Sequence, residues 1–268
     1  MRTLFALAAA ALVSVAATGT AAAQSGTGTV TVVHGVPGLT VDVYVDGEPT
    51  LTGFAPGTVT DPIELPAGSY ELAVRAAGEP ADAAPAISGS ADLPAGANAS
   101  IVAHLDASGS PTLSVFANDV SPTAAGEGRL VVRHTAAAPA VDVLAGGSAL
   151  FTGLSNPNEA TADVPADTYS ASVAAAGTTE PVIGPADVPV AEGQATIVYA
   201  IGSLEEGSLG VAVQTIGALH SAPGSVPAGS GGLVDQGGLP TSVLLATGAG
   251  LAVALSGGTA LARARRQD

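Results

Sequence analysis

The sequence predicts an all-β chain: two tandem immunoglobulin-like or transthyretin-like β-sandwich domains, followed by one C-terminal transmembrane helix. Three observations predict it. Apolar and polar residues alternate with period two between Gly- and Pro-rich turn signals. A unit of roughly 90 residues occurs twice. A charge-free run covers residues 243–261 near the end of the chain.

The elements follow in chain order. Residues 1–23 read as a signal peptide: Arg2, then an apolar stretch over 4–17, then small residues at Ala21 and Ala23 that place cleavage between Ala23 and Gln24. The first sandwich is expected over 28–120. Val41, Val43 and Val45 alternate with Asp42, Tyr44 and Asp46, which predicts a half-buried strand with those polar residues on its solvent face. Asp46-Gly47 predicts a hairpin turn, because Gly tolerates positive φ. Ile63 and Leu65 form a strand that Pro62 assigns to a sheet edge, since proline has no amide proton to donate. Pro66-Ala67-Gly68 turns the chain, and Tyr70, Leu72 and Val74 alternate again. Residues 87–93, 100–105 and 112–116 bring the unit to about seven short strands, the spacing of a sandwich.

The second sandwich is expected over 129–217. Val32-Val33-His34 and Val132-Arg133-His134 match at an offset of 100 residues, as do Val41-Asp42-Val43 and Val141-Asp142-Val143, and Leu51-Thr52-Gly53 and Phe151-Thr152-Gly153. Leu65-Pro66-Ala67-Gly68-Ser69-Tyr70 faces Val164-Pro165-Ala166-Asp167-Thr168-Tyr169. Toward the end of each unit, Ala99-Ser100-Ile101-Val102 aligns with Ala195-Thr196-Ile197-Val198, and Leu113 and Val115 with Leu209 and Val211. Residues 221–240 are Gly/Ser/Pro-rich and read as a flexible linker. Residues 243–261 then form the membrane helix, and 262–268 a basic cytoplasmic tail with Arg263, Arg265 and Arg266. Basic residues stay inside, so the bulk of the chain is expected outside the cell.

Composition narrows the function. The chain of 268 residues has no cysteine, which excludes disulfides, thiol nucleophiles and thiolate metal sites. It carries 23 acidic residues against seven arginines and no lysine. Only Arg75, Arg129 and Arg133 lie between the termini. A net charge of −16 disfavours nucleic acid. Aromatics are 3% of the chain, so cores built from Val, Ala and Leu suit small β-domains better than one large enzyme body.

The stretch from Val32-Val33-His34-Gly35-Val36-Pro37 to Val41-Asp42-Val43-Tyr44-Val45-Asp46-Gly47, with Leu51-Thr52-Gly53 and Leu65-Pro66-Ala67-Gly68-Ser69-Tyr70, resembles the bacterial surface family called domain of unknown function 4397. The second copy is similar at His134, Pro139, Val141-Asp142-Val143 and Phe151-Thr152-Gly153, and departs at Leu144-Ala145-Gly146-Gly147 and at Asp167. The resemblance implies exported, β-rich, repeated envelope domains and brings no catalytic residues. The C-terminus resembles a Gram-positive sorting signal: Leu239 and Pro240 match, whereas Ser242 and Val243 stand where Thr and Gly are expected. A sortase acts at the Thr–Gly bond, so the departure favours a retained membrane anchor, with covalent wall attachment as the runner-up.

His34 and Asp42 recur as His134 and Asp142 with the same spacing. A His–Asp pair can orient a general base or bind a metal, so these four residues are the binding candidates, weighed against a purely structural role, which is favoured. Asp42-Tyr44-Asp46-Gly47 fails as a helix–loop–helix calcium loop because Tyr44 occupies a ligand position and Gly53 the closing one. No G-x-S-x-G elbow, cofactor loop or metal cluster occurs, so no catalytic residue, cofactor or metal is expected. The expected function is non-enzymatic: a surface protein held by its membrane helix, presenting two sandwiches for structural or adhesive contacts with envelope polymers or surface proteins. The alternative is a ligand-binding or sensory ectodomain acting through a membrane partner.

Overall fold

The structure, a computed structural model, describes residues 26–220. The cleavage site at Ala23 and Gln24, the linker 221–240, the membrane helix 243–261 and the tail 262–268 lie outside the described residues. Among the described residues every named element is a strand, and no helix is long and apolar enough to cross a membrane.

Each copy folds into two four-stranded sheets. In repeat 1, β1 (Thr27–His34), β4 (Ile63–Pro66), β7 (Asn98–Leu105) and β8 (Pro111–Ala117) form one sheet, ordered β4-β1-β7-β8. The other holds β2 (Val41–Val45), β3 (Glu48–Phe54), β5 (Gly68–Ala76) and β6 (Ile87–Leu93), ordered β3-β2-β5-β6. Repeat 2 reproduces the first sheet with β9 (Glu127–His134), β12 (Glu159–Pro165), β15 (Ala195–Ile201) and β16 (Gly210–Ile216), ordered β12-β9-β15-β16. Its second sheet is β11-β10-β13-β14, from β10 (Val141–Ala145), β11 (Ser148–Leu154), β13 (Asp167–Ala175) and β14 (Pro181–Val190). The pairs β1–β7 and β9–β15 are parallel. β4 lies at a sheet edge, as Pro62 at its start requires.

Local chemistry explains why the second copy tolerates its departures. The β2–β3 loop has positive φ at Asp46 (52°) and Gly47 (84°), and the β10–β11 loop repeats this at Gly146 (58°) and Gly147 (80°). Both are tight hairpin turns with two left-handed residues, which Asp-Gly and Gly-Gly each satisfy. Tyr70 and Tyr169 donate their hydroxyls to the carbonyls four residues back, Pro66 at 2.6 Å and Pro165 at 2.7 Å. Gly68 is not among the residues with positive φ, so Asp167 replaces it without backbone strain.

Within repeat 1, Val41, Val43, Phe54 and Val74 pack against Ala103 and Leu105, and Val30 and Ile101 against Leu72 and Leu93. In repeat 2, Leu130 and Val132 pack against Val143, Val173 and Val188. A third apolar cluster belongs to neither sandwich: Val33 and Val102 of repeat 1 meet Val131, Ile197, Tyr199, Ile201 and Ala212 of repeat 2, with Phe116 beside them. The sheet β4-β1-β7-β8 therefore lies against the sheet β12-β9-β15-β16, and the two repeats form one compact unit of four β layers. After their first residue, β7 and β9 are buried continuously, on both faces. This explains the runs Ile101-Val102-Ala103 and Leu130-Val131-Val132, which break the half-buried alternation.

Two expectations are corrected. Asp42 and Tyr44 do not form a solvent face, being only 8% and 6% exposed. Backbone amides reach the Asp42 carboxylate, and the Arg75 guanidinium covers the Tyr44 ring at 4.4 Å. The alignment of the last strands is also shifted. Ala99 pairs with Val30, whereas Thr196, not Ala195, pairs with the equivalent Leu130. Val115 pairs with Ile101, and Val213, not Val211, pairs with Val198. A one-residue slip reverses every side chain, so Ile197 and Tyr199 point into the seam while Ile101 points into its own sandwich.

Candidate functional site

The repeated His and Asp occupy equivalent places in the two copies. His34 ends β1, is 1% exposed, and its Nε2 meets the Leu39 carbonyl at 2.7 Å. His134 ends β9, is also 1% exposed, and its Nε2 meets the Pro139 carbonyl at 3.0 Å. A carbonyl only accepts, so Nε2 carries the hydrogen in both rings. Each imidazole ties down the loop five residues on. Burial lowers both histidine pKa values from the ordinary range.

Asp42 and Asp142 use both oxygens on backbone amides. Asp42 accepts from Gly53 N–H at 2.7 Å and Gly78 N–H at 3.0 Å; Asp142 accepts from Gly153 at 2.8 Å and Gly177 at 2.8 Å. These bonds hold each carboxyl below its ordinary value, Gly53 acting most on Asp42 and Gly177 most on Asp142. His34 and Asp42 thus each bond to backbone, as do their counterparts. An amide side chain offers one acceptor oxygen where the carboxylate offers two. Asp42→Asn is therefore expected to lower the melting temperature at neutral pH. The deficit should shrink below 3.8, where the wild-type carboxylate loses its advantage as the pH falls through the folded pKa. Calorimetry at several pH values checks this.

Sequence reasoning passed over the arginines, which organise the join between the repeats. Arg129 on β9 makes a two-point pair with Asp163 of β12 (2.8 and 3.0 Å) and reaches Asp119 (3.0 Å) and the Ser121 carbonyl (3.2 Å) in the connecting segment. Arg133 is 1% exposed inside the seam. Its Nε meets Glu159 at 2.7 Å, one terminal nitrogen donates to Tyr199 Oη at 2.8 Å, and the other to Asn118 Oδ1 of repeat 1 at 2.8 Å. Phe116 of repeat 1 lies under the guanidinium at 4.4 Å. Gln214 accepts from Tyr199 at 2.6 Å and from Ser100 of repeat 1 at 2.8 Å, extending the network across the join. The available signal was the scarcity of cations: three arginines in an acidic middle, two of them on one strand.

Each sandwich also leaves an apolar gap between its sheets. The gap in repeat 1 is about 50 Å³, lined by Val32, Val43, Leu51, Leu65 and Ile101. That in repeat 2 is about 100 Å³, lined by Val132, Val143, Ile183 and Val198, with Val211 and Val213 at its rim. Val211 and Val213 are 44% and 47% exposed, so this gap opens to the surface beside β16. Neither gap is lined by His34, Asp42, His134 or Asp142.

A family model described as "Domain of unknown function (DUF4397)" matches residues 28–144, which span repeat 1, β9 and all but the last residue of β10. No curated protein matches the chain. Among solved structures, "The Bacillus anthracis TIE protein" is similar at 13% identity, covering 66% of this chain and 33% of that chain with a TM-score of 0.20. The chain spans about a third of the length of that solved protein.

Proposed function

We propose that this chain is an exported, membrane-anchored surface protein made of two copies of that family's domain. Its work is non-enzymatic: it holds a rigid, acidic β body outside the cell for structural or adhesive contacts with envelope polymers or surface proteins. The observation that carries this reading is the join. Arg133, Tyr199, Gln214, Ser100 and Asn118 are buried and bonded to one another between the repeats, so polar groups of both copies serve to make one stiff body. The identical backbone duties of His34 and His134, and of Asp42 and Asp142, support the reading of two copies. The signal-like residues before Gln24, the apolar run 243–261 and the arginines after it support export and anchoring.

Fractionation tests the reading. The full chain is expected in the membrane fraction with Gln24 as its first residue by mass spectrometry. A chain ending before Leu239 is expected in the medium. Retention of the truncated chain on the membrane, or of the full chain in the cytoplasm, overturns the assignment. The second reading, a ligand-binding ectodomain, is favoured by the open apolar gap in repeat 2. At about 100 Å³ it admits only a small apolar group.

A further inference from the structure

We propose that the seam between the repeats is an acid-operated latch: protonation of His104, buried between the repeats, parts the two sandwiches while each stays folded. His104 lies on β7 on the same face as Ser100 and Val102, the face that meets repeat 2. It is fully buried. Its Nδ1 meets the Leu105 carbonyl at 2.8 Å and its Nε2 meets Ser114 Oγ at 2.8 Å. The carbonyl assigns a hydrogen to Nδ1; Ser114 Oγ donates to Nε2 when the ring is neutral and accepts from it when the ring is charged. Repeat 2 closes over it with the Thr135 backbone. Asn156 of repeat 2 donates to the same Leu105 carbonyl at 2.8 Å, and Gly202 N–H reaches the Gly35 carbonyl at 3.3 Å.

The ring's bonded partners, the Leu105 carbonyl, Ser114 and the Thr135 backbone, are neutral, so a proton arriving at His104 meets no bonded carboxylate. His134 is committed as a neutral ring, with Nδ1 accepting weakly from Ala136 N–H at 3.4 Å. His34, at the equivalent place in repeat 1, has a buried Nδ1 without a partner. A positive His104 is opposed by charge on His134, within repeat 2, and favoured by Asp106. The Asp106 carboxylate already serves the Ser108 and Ser110 amides of its own turn. Glu205 lies beside Ala107 and Pro139 at the rim of a shallow depression. The seam's own charged pair, Arg133 and Glu159, is bonded at the level of Asn118 and Ser100, roughly 13 Å along β7 from His104.

The direction of the pH effect follows. Burial, the largest influence on each ring, holds His34, His104 and His134 below 6.5 in the closed protein. An opened or unfolded state takes up the proton first. Closed-state stability is therefore complete above 6.5 and falls as pH drops below it. The bonded carboxylates Asp42, Asp106, Asp119 and Asp142 follow only below 3.8, which leaves a window in which histidines act alone. For one histidine, the ratio of open to closed protein rises by up to about 30-fold between about pH 7.5 and about pH 5. His104 can regain water by separation of the sheets, because it sits on the outer face of its sandwich. His34 packs on Phe54 inside repeat 1 and gains water only if that sandwich opens.

Hydroxyl-radical footprinting of the full chain at about pH 7.5 and about pH 5 tests this. Tyr199 and Ile197 report the seam; Leu72 and Val173 report the sandwich interiors. Expected is a rise of roughly tenfold in seam labelling at the lower pH, with the interiors still protected and the rise suppressed in His104→Gln. Seam labelling that stays flat, that rises together with the interiors, or that persists in His104→Gln overturns the latch. Because the wild-type chain carries no substitution, the first two outcomes decide even if the variant does not fold.

Discussion

Arg133→Ala is expected to destabilise the protein by about 3 kcal/mol and to loosen repeat 1 from repeat 2. The guanidinium sits buried in the seam and satisfies four neighbours at once: Glu159, Tyr199, Asn118 and the Phe116 ring. Truncation removes the donor to the Tyr199 and Asn118 oxygens, which keep only their bonds to Gln214 and Ser100, leaves a void among Val131, Ile197 and Phe116, and removes the partner of Glu159. The Glu159 side chain is 37% exposed and regains water, which keeps the cost toward the lower end for a broken buried pair. Arg133→Lys is expected to recover little, because an ammonium cannot serve Glu159, Tyr199 and Asn118 from one plane. Urea denaturation reads the effect, and a cycle with Tyr199→Phe should show a coupling of roughly 1–2 kcal/mol. A loss below about 0.5 kcal/mol in Arg133→Ala would mean that the apolar cluster alone holds the seam.

Gly128→Ala is expected to cost roughly 3 kcal/mol, against about 1 kcal/mol for the equivalent Gly28→Ala. A Cβ on Gly128 would stand 2.3 Å from the Ala191 carbonyl oxygen and 2.7 Å from Val190 Cγ1. The carbonyl is backbone and cannot swing away, so β9 or the turn after β14 must move. A Cβ on Gly28 would meet mainly the Leu93 side chain, at 2.7 Å, which has other rotamers available. Paired thermal melts of the two variants check the contrast; equal losses would show that the backbone of repeat 2 yields as easily as a leucine.

Much of the fold was legible because strands and turns are written in short-range chemistry. The alternation at Tyr70, Leu72 and Val74, the left-handed pair at Asp46-Gly47, and the missing amide of Pro62 each specify local geometry without reference to distant residues. The candidate site was legible only as a spacing. His34 and Asp42 announce a repeated pair, yet their partners are the Leu39, Gly53 and Gly78 backbones, and a backbone group leaves no mark in a sequence. The slipped alignment of β7 with β15 has a similar cause. Ile101-Val102 and Ile197-Val198 look alike, and only hydrogen-bond register decides that Ile101 corresponds to Val198.

By itself, then, the sequence determined an all-β chain with two copies of one sandwich, an acidic surface and no cysteine chemistry. Period-two patterning, turn residues and composition act over a few positions, and they suffice for that. The tertiary structure decided that the two copies fuse into four layers, that Asp42 and Tyr44 turn inward, and that Arg133 and His104 lie between the repeats. Those outcomes depend on which residues far apart in the chain, such as Ser100 and Gln214, come to share one buried space. There the cost of burying a polar group is set by the partner it meets, and that partner is known only once the sheets are stacked.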